Sequence, residues 1–120
     1  MTGLHRVVFL IALCAALQPS MAIAADEGPI NPGVPPKTGA FLAYCKAGNK
    51  GCVDEVADIS FAMLVTNATK KEWCPGEETN DVNLLTHKVV EWLAAHSETV
   101  DKATDDGIKM ALVQLYPCKD

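Results

Sequence analysis

Cysteine is the residue of this chain best suited to chemistry, and there are five. Four of them, Cys45, Cys52, Cys74 and Cys118, are separated by 7, 22 and 44 residues. None forms a C-x-x-C pair, so zinc ligation has no starting motif. With four mutual partners no thiol is spare as a nucleophile, and the set reads as two disulfides. His87 and His96 are nine residues apart and cannot stack on one helix face; both read as surface or rim residues, His96 at a helix C-terminus. Glu77-Glu78 and Asp105-Asp106 are adjacent carboxylates whose side chains diverge. Both pairs sit at helix starts, where they complement the dipole better than they serve as an acid/base pair. There is no Gly-rich phosphate loop and no Ser/His/Asp set. The reading is therefore of no catalytic residue, no metal and no cofactor.

Charge narrows the partners. Ten basic residues stand against 15 acidic ones, for a net charge of −5. An acidic chain is a poor ligand for nucleic acid or an anionic membrane. A length of 120 residues allows one domain.

The fifth cysteine, Cys14, belongs to a different kind of segment. Residues 1–25 carry His5 and Arg6, then an apolar run from Val7 to Leu17, then Pro19-Ser20 and Ala22-Ile23-Ala24. This is the pattern of a cleavable secretory signal peptide. A run of eleven apolar residues is short of the roughly 20 that a membrane span needs. Leu13 stands where a lipoprotein signal needs a small residue, so Cys14 is not expected to carry lipid. Removing 25 of 120 residues leaves 95, with nine lysines, fifteen acids and no arginine. Without the planar guanidinium fork a dedicated phosphate site is not expected.

The elements that position these residues follow from periodicity and breakers. Residues 26–37, DEGPINPGVPPK, hold four prolines and two glycines and read as an extended, mobile tether. A short helix is expected over residues 40–45, with Thr38 as its cap and Phe41, Leu42 and Cys45 on one face. A turn, KAGNKG, leads to the strongest helix, residues 52–69, with Cys52, Val56, Ile59 and Met63 as its stripe and Val53, Ala57 and Leu64 beside it. Asp54, Glu55 and Asp58 lie toward its start and Lys70 and Lys71 past its end, as the dipole favours. Trp73-Cys74-Pro75-Gly76 stops the chain, and Glu77 to Asp81 is an acidic loop whose Asn80 or Asp81 caps the next helix. That helix spans residues 82–96, with Val82, Leu85, Val89, Trp92 and Leu93 inward. After a connection at 97–103, Thr104 caps a helix to Tyr116, with Ile108, Ala111, Leu112 and Leu115 inward. No segment alternates as a strand does. The expected fold is all-α: a small bundle of one short and three longer antiparallel helices, over residues 38–120. Its exposed faces show no clear apolar stripe for self-association.

Helix direction then selects the disulfides. Short connections make successive helices antiparallel, which puts Cys45 and Cys52 at one end and Cys74 and Cys118 at the other. A helix of about 18 residues is about 27 Å long, and a disulfide bridges a Cα separation of only about 7 Å. The expected pairs are Cys45–Cys52 and Cys74–Cys118.

This frame resembles the Rap/Tai immunity-protein family of Gram-negative bacteria. The features that carry the likeness are a short helix ending in Cys45, Cys52 opening a long helix, Cys74-Pro75, the Val89, Trp92 and Leu93 helix, and Ala111-Leu112 with Tyr116-Pro117-Cys118. It spans about residues 38–118. Ser97 stands where the family often has a proline, and the tether is outside its pattern. The resemblance implies a small periplasmic helical protein, often a homodimer, that binds and inhibits a peptidoglycan amidase delivered by a type VI secretion system. For contacts with such a protein partner, the acidic loop Glu77, Glu78 and Asp81 is the first candidate, because carboxylates can meet a basic cleft and speed association. Ser97, Glu98 and Asp101 are the second. Two other readings fit an exported acidic helical chain: an acid-stress periplasmic chaperone of the HdeA type, and an envelope-binding module without inhibitory role.

Overall fold

The computed structural model describes residues 28–67 and 71–119. The segment read as a signal peptide, with Cys14, lies outside the described residues. Four helices are present: α1 (Thr38–Lys46), α2 (Gly51–Thr66), α3 (Val82–Ala95) and α4 (Thr104–Leu115). Single 3-10 turns cover Glu77–Asn80 and Ser97–Thr99. The described residues hold no strand, only an isolated bridge between Lys37 and Ala103. The fold is the expected all-α bundle of one short and three longer helices.

The apolar stripes meet in one core. Cys52, Val56, Ile59 and Met63 of α2 are all buried, as are Leu85, Val89 and Leu93 of α3 and Ile108, Ala111 and Leu112 of α4. Phe41 of α1 and Trp73 of the connecting segment fill the space between them. Burying each side chain of this size contributes about 1.5–3 kcal/mol. Trp73 also meets Tyr116 edge-on, ring centroids 6.5 Å apart. Both disulfides form as expected: Cys45–Cys52 with a Cα separation of 5.2 Å and Cys74–Cys118 with 4.8 Å. α2 and α4 run in the same direction, because Glu55 neighbours Asp105 near their starts while Met63 and Asn67 line one groove with Met110 and Gln114.

Several boundaries and roles differ from expectation. α1 starts at Thr38, whose hydroxyl donates to Lys102 O and Ala103 O instead of capping its own helix. α2 ends at Thr66 and not at 69. The Asn67 side chain donates to Trp73 O at 2.8 Å and accepts Glu72 N–H at 3.0 Å, which draws the chain out of the helix. α3 ends at Ala95 and α4 at Leu115. Trp92 and Leu115 are half-buried instead of fully inward.

The largest correction concerns the expected tether. Residues 28–37 are docked along the bundle as a strap. Val34 is buried in the core. The Thr104 hydroxyl and N–H donate to Pro35 O and Pro36 O at 2.5 and 3.0 Å. Ile30 N–H and Asn31 N–H donate to the Glu55 carboxylate. Proline forbids a helix here but leaves carbonyls and apolar surface available for docking.

Candidate partner-binding surface

The acidic turn is made by local backbone bonds. Thr79 N–H and hydroxyl both donate to Gly76 O, closing the 3-10 turn Glu77–Asn80. Asp81 is the N-cap of α3, its Oδ1 accepting Asn83 N–H at 3.0 Å and Leu84 N–H at 3.1 Å. Glu78 accepts Lys88 Nζ at 2.6 Å, and this ammonium holds its carboxyl below the usual range. Burial, with Glu78 nearby, pushes the Tyr116 phenol up to about 12. All three acids expected as contacts are exposed, but Glu78 and Asp81 also serve the fold through these bonds, whereas Glu77 makes no side-chain hydrogen bond among the described residues.

The second candidate set, Ser97, Glu98 and Asp101, is exposed around the turn Ser97–Thr99. Thr99 is buried within it, its hydroxyl donating to His96 O. Lys37 Nζ donates to Asp101 O at 3.2 Å. The structure does not bring the two sets together. They flank opposite ends of α3, whose 14 residues span about 21 Å at 1.5 Å per residue.

The histidines are rim residues, as expected. His87 pairs with Glu91 at 3.7 Å on an exposed face. His96 is half-buried; its Nδ1 bonds Trp92 O at 2.7 Å and its ring lies flat on Trp92, centroids 3.7 Å apart. Among the described residues no group of three or more His, Cys, Asp or Glu is arranged to hold a metal ion.

Two surface features were not expected. The outward face of α2 exposes Phe61 by 68%, Leu64 by 47% and Val65 by 63%. With Val53 and Ala57 they recur at helical spacing; Phe61 and Val65 lie opposite the Cys52–Val56–Ile59–Met63 stripe, and Val53, Ala57 and Leu64 lie on its flank. Reading the helix for one apolar face hides the second; testing it for two would have revealed the patch. The other feature is a groove of about 520 Å³ between the C-terminal halves of α2 and α4, with Met63, Trp73, Met110 and Val113 on its walls and Lys102 and Asp106 at its edge. Sequence periodicity has no signal for such a groove, because it depends on how two helices diverge.

The two disulfides fit an exported protein. No described helix is long and apolar enough to cross a membrane. Compared with known proteins, the chain matches the family model of Rap1a immunity proteins over residues 8–118. No curated protein and no solved structure matches it.

Proposed function

Because the chain belongs to the Rap1a immunity protein family, we propose that it acts in the periplasm as a stoichiometric inhibitor of a secreted peptidoglycan amidase. The family match over nearly the whole chain is the observation that carries this reading: an immunity protein has a protein effector as its partner. The helical, doubly cross-linked domain suits such a role, because a rigid surface loses little entropy when it binds. Inhibition follows from covering the amidase cleft and requires no catalytic group on this chain.

The contacts we assign are at the ends of α3. Glu77 presents an exposed carboxylate to a basic rim, while Glu78 and Asp81 shape the turn that carries it. Ser97, Glu98 and Asp101 form the alternative surface. With the two about 21 Å apart along the helix, one narrow cleft engages one of them. Mixing the purified chain with a candidate secreted peptidoglycan amidase, and following peptidoglycan hydrolysis against molar ratio, tests this. Activity should vanish near equimolar chain. Glu77→Lys should weaken inhibition by roughly tenfold, and Glu98→Lys should leave it intact; the reverse pattern moves the contact to the other end. An amidase unaffected by excess chain removes the reading.

We also assign the outward face of α2 to a homodimer. Run antiparallel across a two-fold axis, two copies of α2 cover Phe61, Leu64 and Val65 and bring Asp54 and Asp58 of each toward the end of the other that leads to Lys71. Opposite charges and opposed dipoles then face one another.

A further inference from the structure

Glu55 and Asp105 are carboxylic acids on different helices, and both are withdrawn from solvent: Glu55 is 0% exposed and Asp105 5%. A buried charge requires partners. Glu55 has three donors from one short stretch of the strap. Ile30 N–H donates to Oε1 at 2.8 Å, and Asn31 N–H and Nδ2 donate to Oε2 at 2.9 and 2.8 Å. Asp105 is in the opposite situation. Its Oδ1 is buried and receives no hydrogen bond among the described residues, and its side chain meets another acceptor, the Glu55 carboxyl.

Two carboxylates cannot bond to each other, but one proton between them makes Asp105 a donor and Glu55 its acceptor. The surroundings favour that state. From α4, Asp106 adds repulsion and Lys109 partly offsets it. From α2, Asp58 shares the Asn31 amide at 3.0 Å. Residues 28–36 of the strap carry no charged side chain, and the charged residue of α1 is Lys46, at its far end. Burial and the Glu55 carboxyl outweigh Lys109 and push Asp105 up to about 7.

We propose that the Glu55–Asp105 pair is a one-proton latch: the shared proton holds the strap across the starts of α2 and α4, and its loss frees residues 28–34. The step is an acid dissociation. The Asp105 carboxyl gives its proton to water or a buffer base, and two carboxylates are left facing each other. Water must then reach Glu55, and the groups in its way are Ile30 and Asn31. Pro35 and Pro36, held by Thr104, act as the hinge. The segment that moves ends in Val34, so opening uncovers its seat in the core. The latch operates whichever effector the domain binds.

Amide exchange of the full chain, followed by NMR and corrected for the intrinsic base-catalysed rate, tests it. Protection of Ile30 and Asn31 should drop by roughly tenfold between about pH 6 and pH 8. The Asp105 carboxyl carbon shift should titrate over the same range. Asp105→Asn keeps a donor toward Glu55 without a dissociable proton, so its Ile30 and Asn31 should stay protected throughout. Asp106→Asn should leave the transition in place. Constant protection in the wild-type chain overturns the proposal, as does an equal loss in Asp105→Asn. If that variant does not fold, an Asp105 carboxyl titrating in the ordinary carboxylate range is enough to overturn it.

Discussion

Asp105 also makes a prediction about equilibrium stability. Its pKa of about 7 in the folded chain lies above the ordinary 3.8. Between those values the folded chain keeps a proton that the unfolded chain has lost. The contribution of Asp105 to stability therefore falls as pH rises from about 4 to about 7, and is level beyond. Urea denaturation at about pH 5 and pH 8 should show Asp105→Asn gaining on the wild type at the higher pH. Gly107 makes a steric prediction. A Cβ there would sit 2.5 Å from Thr38 Oγ1, and that hydroxyl is fixed by bonds of 3.0 and 3.2 Å to Lys102 O and Ala103 O. Gly107→Ala should cost about 1–3 kcal/mol of unfolding free energy. At this scale the sequence was only partly legible. Asp105 and Asp106 read alike as dipole complements, yet one is buried and the other exposed. Position gave a clue: Glu55 lies three residues after Cys52 and four before Ile59, within the apolar stripe, and Asp105 lies three before Ile108.

Helix caps and faces carry the predictions at the level of elements. Asp81→Ala removes both acceptor contacts at the start of α3 and should lower stability by about 1 kcal/mol, read from the denaturation midpoint. Phe61→Asp alters an exposed position and should change monomer stability by less than about 0.5 kcal/mol. Sedimentation should nevertheless shift it from dimer to monomer; a wild-type chain that sediments as a monomer ends that assignment. The four helices were legible because each has a 3.6-residue apolar period bounded by breakers. The end of α2 was not, since residues 67–69 contain no breaker and the helix stops through a side-chain bond from Asn67 to Trp73. The docked strap was hidden for a similar reason. Its partners, Glu55 and Thr104, are some 24 to 69 residues away, and no local pattern encodes bonds at that range.

For the whole molecule, the cross-links set the order of stability losses. Closing a loop of 44 residues restricts the unfolded chain by about 4 kcal/mol, against about 2.5 kcal/mol for the seven-residue loop. Paired Cys→Ala replacement at 74 and 118 should lower Tm more than the same change at 45 and 52, by scanning calorimetry. The pairing itself was legible because helix direction is a global quantity that short connections determine. The contact surface was less so. The acidic turn reads as a rim of three carboxylates, and all three stay exposed, but Lys88 and the start of α3 engage two of them and leave Glu77 without such a bond among the described residues.

The two tryptophans make the chain its own optical gauge. Trp73 is enclosed with Tyr116 against it, so its emission lies toward the blue and moves red when the core opens. Trp92 lies flat on the His96 ring and is half in water. Its emission reports on that outer stack, so parting the two rings should alter this second emitter while the first keeps its colour. One emission spectrum can thus distinguish a chain that has lost its interior from one whose outer ring stack alone has come apart, with no dye attached.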